Sequence, residues 1–162
     1  LITIIIPRHV ERIPQIVKQL KNIGLKIHTH KPNKVIKKGT DIYLVNTYGE
    51  TKSFYAACKN VFLGGSLIPH GGQNPLEAAR YGCNILHGPY VSNFTDIYFF
   101  LEKNKIATKI NNSKTIIKAL NNSFSKKTKT KIIQKKIGYI GKKILNLTYK
   151  EINFFIKKYE TQ

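Results

Sequence analysis

The 162 residues are the length of one ordinary domain, and 41% apolar residues suffice for one buried core, so a single domain over residues 1–162 is expected. The formal charge is +20, yet only Arg8, Arg12 and Arg80 are arginine, and Lys, Ile and Asn are abundant throughout; this reads as compositional bias and argues against nucleic acid as the partner. No uninterrupted apolar run approaches the roughly 20 residues that span a bilayer.

In chain order, Leu1-Ile2-Thr3-Ile4-Ile5-Ile6 opens as a strand, without Met or leader, which is the start expected of a fragment. A helix is expected over 14–22, because Ile13, Ile16, Val17 and Leu20 recur at helical spacing. Further strands are expected over 26–30, 42–45, 61–63, 84–86 and 106–110, and helices over 50–58, 75–81 and 93–103. Phe94, Ile97, Tyr98 and Leu101 form the apolar side of the last of these. Strands alternating with helices across short connections imply an α/β fold, a Rossmann-like doubly wound parallel sheet with helices on both faces. Such folds bind ligands beyond the strands' C-terminal ends.

From about residue 113 the character changes to helices without further sheet, over 113–121 and 131–159, with Gly138 and Gly141 as weak points and a polar, mobile stretch over 123–130. Residues 103–162 carry sixteen Lys against Glu151 and Glu160, a composition suited to an anionic phospholipid surface. Cys58 and Cys83 stand apart from any CxxC pair and are expected as buried thiols in a reducing cytoplasm.

Three segments sit where strands hand over to loops and are expected to converge on one rim of the sheet: Pro7-Arg8-His9, Thr47-Tyr48-Gly49-Glu50, and the run from Gly64 to Glu77. In the third, Gly65 and its neighbours permit close backbone approach to a ligand, Ser66 follows, and a helix start near Pro75 offers free N–H groups to a phosphate. The same letters also suit a glycine-rich turn and a capped helix, with Asn74 as N-cap, Pro75 at N1, Leu76 at N2 and Glu77 reaching back from N3. Glu77 could equally accept from two ribose hydroxyls. Arg8 suits a forked contact to phosphate or carboxylate, or a surface salt bridge to Glu11. Glu50 suits a nucleotide contact or a helix-dipole role.

His28-Thr29-His30 puts two imidazoles on one strand face but lacks a third ligand, and no metal is expected. GxSxG and GxxxxGK[ST] patterns are absent, so hydrolase and P-loop readings have little support, eight acids leave few candidates for a paired-carboxylate site, and no cofactor is expected.

Ile6-Pro7-Arg8-His9-Val10-Glu11-Arg12, Gly64-Gly65-Ser66-Leu67, His70-Gly71-Gly72-Gln73-Asn74-Pro75-Leu76-Glu77-Ala78-Ala79 and His87-Gly88-Pro89, in this order and spacing, strongly resemble the lipid A-specific 3-deoxy-D-manno-octulosonic acid (Kdo) transferases over about residues 1–110. The resemblance implies the C-terminal half of a GT-B glycosyltransferase, which holds CMP-Kdo, with the acceptor domain, catalytic base and membrane-associating segment in an N-terminal half outside this chain. It implies transfer of Kdo to a lipid A precursor with inversion, at the cytoplasmic face of a bacterial inner membrane, and no activity of the fragment alone. Donor contacts are implied for Pro7, Arg8, Tyr48, Gly49, Glu50, Asn74, Pro75, Leu76 and Glu77, and expected also for Gly65 and Ser66. Gln73 stands where the family often has His, Ala78 where Pro is frequent, and Asn46-Thr47-Tyr48 where an Asp-Thr-Met type turn is common.

Overall fold

The computed structural model describes residues 1–125 and 130–160, and the chain divides into two compact units that meet between Ser53 and Phe54. Residues 126–129, within the stretch expected to be mobile, lie outside the described residues.

The first unit is built on a parallel sheet of β1 (Thr3–Ile5), β3 (Ile42–Leu44) and β2 (Ile27–Thr29), with β3 in the middle. Register explains that order: Tyr43 pairs with both Ile4 and His28. Ile42 to Val45 are four consecutive buried residues, the unbroken apolar run that a parallel central strand needs, whereas β1 and β2 are only partly covered. Helix α1 (Ile13–Asn22) carries Pro14 in its first turn, where a missing N–H costs nothing. It closes at Gly24, whose φ of +80° suits glycine, as the Leu25 amide donates back to the Leu20 carbonyl at 3.2 Å.

The second unit holds the parallel sheet β4 (Asn60–Leu63), β5 (Asn84–His87) and β6 (Ala107–Lys109), in that spatial order. Helix α2 (Thr51–Ala57) leads into it; α3 (Leu76–Arg80), α4 (Thr95–Lys103), α5 (Ser113–Phe124) and α6 (Thr130–Glu160) follow. Leu63, Ala78, Ala79, Cys83, Ile85, Tyr98, Leu101 and Ile106 form its core with Ile133 and Ile137, one turn apart on α6. Ala78 and Ala79 are fully buried, and their small side chains let α6 lie close on α3, where Gln134 Nε2 donates to the Tyr81 carbonyl at 3.1 Å.

All six expected strands are present, pairing as two three-stranded sheets, and the Rossmann-like α/β class stands. Most element boundaries shift by one or two residues, and α5 by three. Helix α5 runs on to Phe124 from a capping box in which Asn112 accepts from the Thr115 amide. Helix α6 is continuous through Gly138 and Gly141, as expected of a helix in which each costs only about 1 kcal/mol relative to alanine.

Cys58 and Cys83 are free thiols, and Cys83 is buried with its Sγ 3.3 Å from the Tyr55 and Cys58 carbonyls. Burial first, and then the nearby Cys58, push the Cys83 thiol up to about 11. Iodoacetamide at pH 8 is therefore expected to spare Cys83 in the native chain and to label it only after denaturation; mass spectrometry of digests reads this out, and native labelling as fast as in urea would contradict it.

Candidate functional site

In the first unit, Pro7-Arg8-His9 leaves the C-terminal end of β1, and Thr47 to Glu50 leaves that of β3. The Tyr48 hydroxyl ties these loops together, donating to Glu11 Oε1 at 3.1 Å and accepting from the Val10 amide at 3.4 Å. Glu11 is thus engaged by Tyr48, and among the described residues Arg8 makes no ion pair; its guanidinium is exposed. That removes the surface salt bridge as the explanation of Arg8.

Glu50 is fixed. Its Oε1 accepts from the Thr47 hydroxyl at 2.6 Å, and its Oε2 lies 2.7 Å from Nε2 of His30, whose Nδ1 shares a 2.6 Å hydrogen bond with the Tyr43 hydroxyl. Gly49 just before it takes φ +86°, which turns the chain so that the carboxylate meets both partners. A carboxylate oriented this way and one-third exposed keeps lone pairs for an incoming hydroxyl. His28 and His30 both stand edge-on to the Tyr43 ring, and among the described residues no cluster of His, Cys, Asp or Glu could hold a metal ion.

In the second unit, the loop from Gly64 to Pro75 is held from four sides. The buried Ser66 hydroxyl donates to the Leu63 carbonyl at 2.6 Å and accepts from the Gly88 amide at 2.8 Å, which latches the end of β4 to the end of β5. The Tyr90 amide donates to the Ser66 carbonyl at 2.9 Å, the Gly72 amide to Gly65 at 3.0 Å, and the Tyr98 hydroxyl to the Gln73 carbonyl at 2.8 Å. Gly71, at φ +86°, lies so near Asn93 that a Cβ would meet its side-chain amide. Beside this loop opens a cavity of about 440 Å³, lined among others by Pro69, Gly71, Tyr90, Ser92, Glu102 and Lys109.

Helix α3 starts one residue later than expected. Pro75 takes the cap place rather than N1, and Asn74 Oδ1 accepts from the Leu76 amide at 3.0 Å across it. Pro75 is buried, while Asn74 and Glu77 are exposed at the surface of the second unit. Ser66 serves the loop's shape, because both of its hydroxyl bonds are used inside the fold.

Sequence reasoning gave His87 only as part of the His87-Gly88-Pro89 motif and did not foresee its packing. It is fully buried, shares a 2.8 Å hydrogen bond through Nδ1 with the Gly88 carbonyl, packs tilted against Tyr98 with ring centres 4.4 Å apart, and points Nε2 at Glu102 Oε1 3.2 Å away. The signals were a histidine ending an apolar strand and its place in the His87-Gly88-Pro89 motif. Burial, outweighing Gly88 and Glu102, holds its imidazole below the usual range. The unfolded chain therefore binds this proton more readily than the folded one, so the contribution is complete above about pH 6.5 and is lost as pH falls through the folded value. Thermal melts at pH 7.5 and 5.5 are expected to show lower stability in acid, with the difference reduced in His87→Gln; an unchanged difference would remove His87 as its source.

No protein-family profile matches the chain. Curated proteins do: over 149 residues, 88% of this chain, it is 34% identical to the 3-deoxy-D-manno-octulosonic acid transferase of Rickettsia prowazekii (strain Madrid E). The chain belongs with the Kdo transferases. It is 26% identical over 145 residues to the enzyme of that name from Haemophilus influenzae. These alignments cover 32% and 33% of the two relatives, so the chain spans about a third of their length. Its likeness reaches further than the motifs do, because an alignment of 149 residues necessarily enters the C-terminal helices, where generic helices were expected. In fold, it matches the crystal structure of the C-terminal CMP-Kdo binding domain of WaaA from Acinetobacter baumannii, with a TM-score of 0.76, 24% identity, and coverage of 86% of this chain and 72% of that one.

Proposed function

We propose that this chain is the donor-holding part of an inverting glycosyltransferase that moves Kdo from CMP-Kdo to a lipid A precursor at the cytoplasmic face of a bacterial inner membrane. The observation that carries the reading is the 149-residue likeness to a Kdo transferase, and the fold match to a CMP-Kdo binding domain supports it. The chemistry follows from residues already described. Arg8, exposed and without an ion pair among the described residues, offers a forked donor to the phosphate or the sugar carboxylate. Glu50, held by Thr47 and His30, and exposed Glu77 offer acceptors to hydroxyls. In the first unit Pro7, Tyr48 and Gly49 flank Arg8 and Glu50, and in the second unit Gly65 opens the loop that ends in Asn74, Pro75 and Leu76 beside Glu77.

Catalysis in this reading consists of holding the donor and stabilising the charge that builds on the departing CMP phosphate. The attacking hydroxyl and the base that deprotonates it are assigned to the portion of the relatives that this chain does not cover. Calorimetric titration with CMP and with UMP at moderate ionic strength tests the assignment. CMP-selective binding is expected. Binding that ignores the base and fades uniformly with salt would mean that the net charge of +20 is the whole cause.

A further inference from the structure

The cavity beside the loop from Gly64 to Pro75 is walled by Lys109, the last residue of β6, by the segment that leaves β5, and by α4. Two opposite charges line it, the ammonium of Lys109 and the carboxylate of Glu102, yet they do not pair with each other, and among the described residues Lys109 makes no ion pair. Glu102 is fixed from behind. Its Oε1 lies 3.2 Å from Nε2 of the buried His87, whose Nδ1 is tied to the Gly88 carbonyl at 2.8 Å. The Glu102 side chain is still one-third exposed, and among the described residues its Oε2 has no hydrogen-bond partner. The Ser92 hydroxyl and the rings of Tyr90 and Phe99 extend the lining, and these rings are 46% and 68% exposed.

We infer that this cavity is a saccharide subsite that takes a pyranose ring carrying a carboxylate. Its volume of about 440 Å³ falls within the roughly 300–1,000 Å³ of small-molecule sites. The lining selects the class of ligand. An ammonium and a carboxylate held apart in one cavity each remain open to a ligand group: Lys109 to an acid, Glu102 to hydroxyls that donate to it. Tyr90 and Phe99 offer aromatic surface to the apolar faces of the ring. A phosphate suits the cavity less, because one lysine would face it without an arginine and Glu102 would repel its charge. A protein segment seated here would bury both charges and would have to bring a matching acid and base, a desolvation cost that a hydroxylated sugar in an open cavity avoids. This subsite rests on the proposed function for its choice of sugar and deepens it, while sharing no residue with the nucleotide contacts proposed above.

Titration of the isotope-labelled chain with free Kdo, followed by NMR, is expected to shift the amides of Gly71, Ser92 and Lys109. Mannose, which lacks the carboxylate, should bind roughly tenfold more weakly. Lys109→Gln should weaken Kdo binding by about tenfold and Phe99→Ala severalfold, whereas Lys103→Gln, which removes one charge from α4 outside the cavity, should leave it unchanged. Lys109 and Phe99 are exposed, so thermal melts of both variants should match the parent. CMP titration of Lys109→Gln should also match. Absence of Kdo binding beside CMP-selective binding would therefore sink the subsite alone, and the converse would sink the donor reading alone. Displacement of Kdo by CMP-Kdo but not by CMP would mark the donor's own sugar as the occupant, and Kdo staying bound beside CMP-Kdo would mark an acceptor or product sugar. Three results would overturn the subsite: Kdo that shifts none of the cavity amides, mannose that binds as well as Kdo, or Lys109→Gln doing no more than Lys103→Gln.

Discussion

Replacing Gly88 with alanine is expected to cost the second unit about 3 kcal/mol or more, enough to leave much of the chain unfolded at 37 °C. Gly88 follows β5, and a Cβ there would overlap the carbonyl group of Ser66 and come within 2.7 Å of the Leu67 nitrogen. All of these are backbone atoms, and none is free to retreat. The Ser66 carbonyl receives the Tyr90 amide, and the Ser66 hydroxyl receives the amide of Gly88 itself. Moving Ser66 would break both bonds and the 2.6 Å bond to Leu63 that holds the loop on β4. Gly138→Ala is the matching control: nothing lies within 4 Å of its Cβ position, it is mid-helix, and the substitution should be neutral or stabilise by up to ~1 kcal/mol. Urea melts of the two variants read the contrast directly. A Gly88→Ala midpoint within experimental reach of the parent's would show that the Ser66 latch is softer than its geometry implies.

Periodicity made the elements legible. The apolar spacing at Ile13, Ile16, Val17 and Leu20 found α1, and the run at 42–45 found the central strand β3, because helix and strand periods follow directly from backbone geometry. The candidate loop segments were legible, but they were expected on one rim of one sheet, and two of them leave the first sheet while the third leaves the second. What each side chain does inside them was not legible. Ser66 and Arg8 both follow strands in suggestive motifs, yet one is a buried latch and the other an exposed cation. That difference depends on which carbonyl or amide lies opposite, a matter of strand pairing between residues 22 positions apart. The His30–Glu50 and His87–Glu102 pairs were hidden for the same reason: each joins groups brought together by tertiary packing and separated by fifteen or more residues in sequence.

Arg8→Ala is expected to weaken CMP binding by about 10- to 100-fold while leaving the melting temperature where it was. The binding side of this follows from charge-assisted hydrogen bonds, worth roughly 1.5–3 kcal/mol when a forked guanidinium meets a phosphate. The stability side follows from the structure, in which Arg8 is exposed and forms no ion pair among the described residues, so its removal strands no partner. Arg8→Lys keeps the charge but loses the fork, and it should recover only part of the affinity. This ordering separates a specific contact from the general field of a +20 chain, in which loss of one charge among 28 basic residues would change affinity only slightly and Lys would equal Arg. Titration at two salt concentrations supplies the check. Parent and Arg8→Ala converging on one weak, salt-dependent affinity would remove Arg8 from the donor site and leave Glu50 and Glu77 as the side chains to test next.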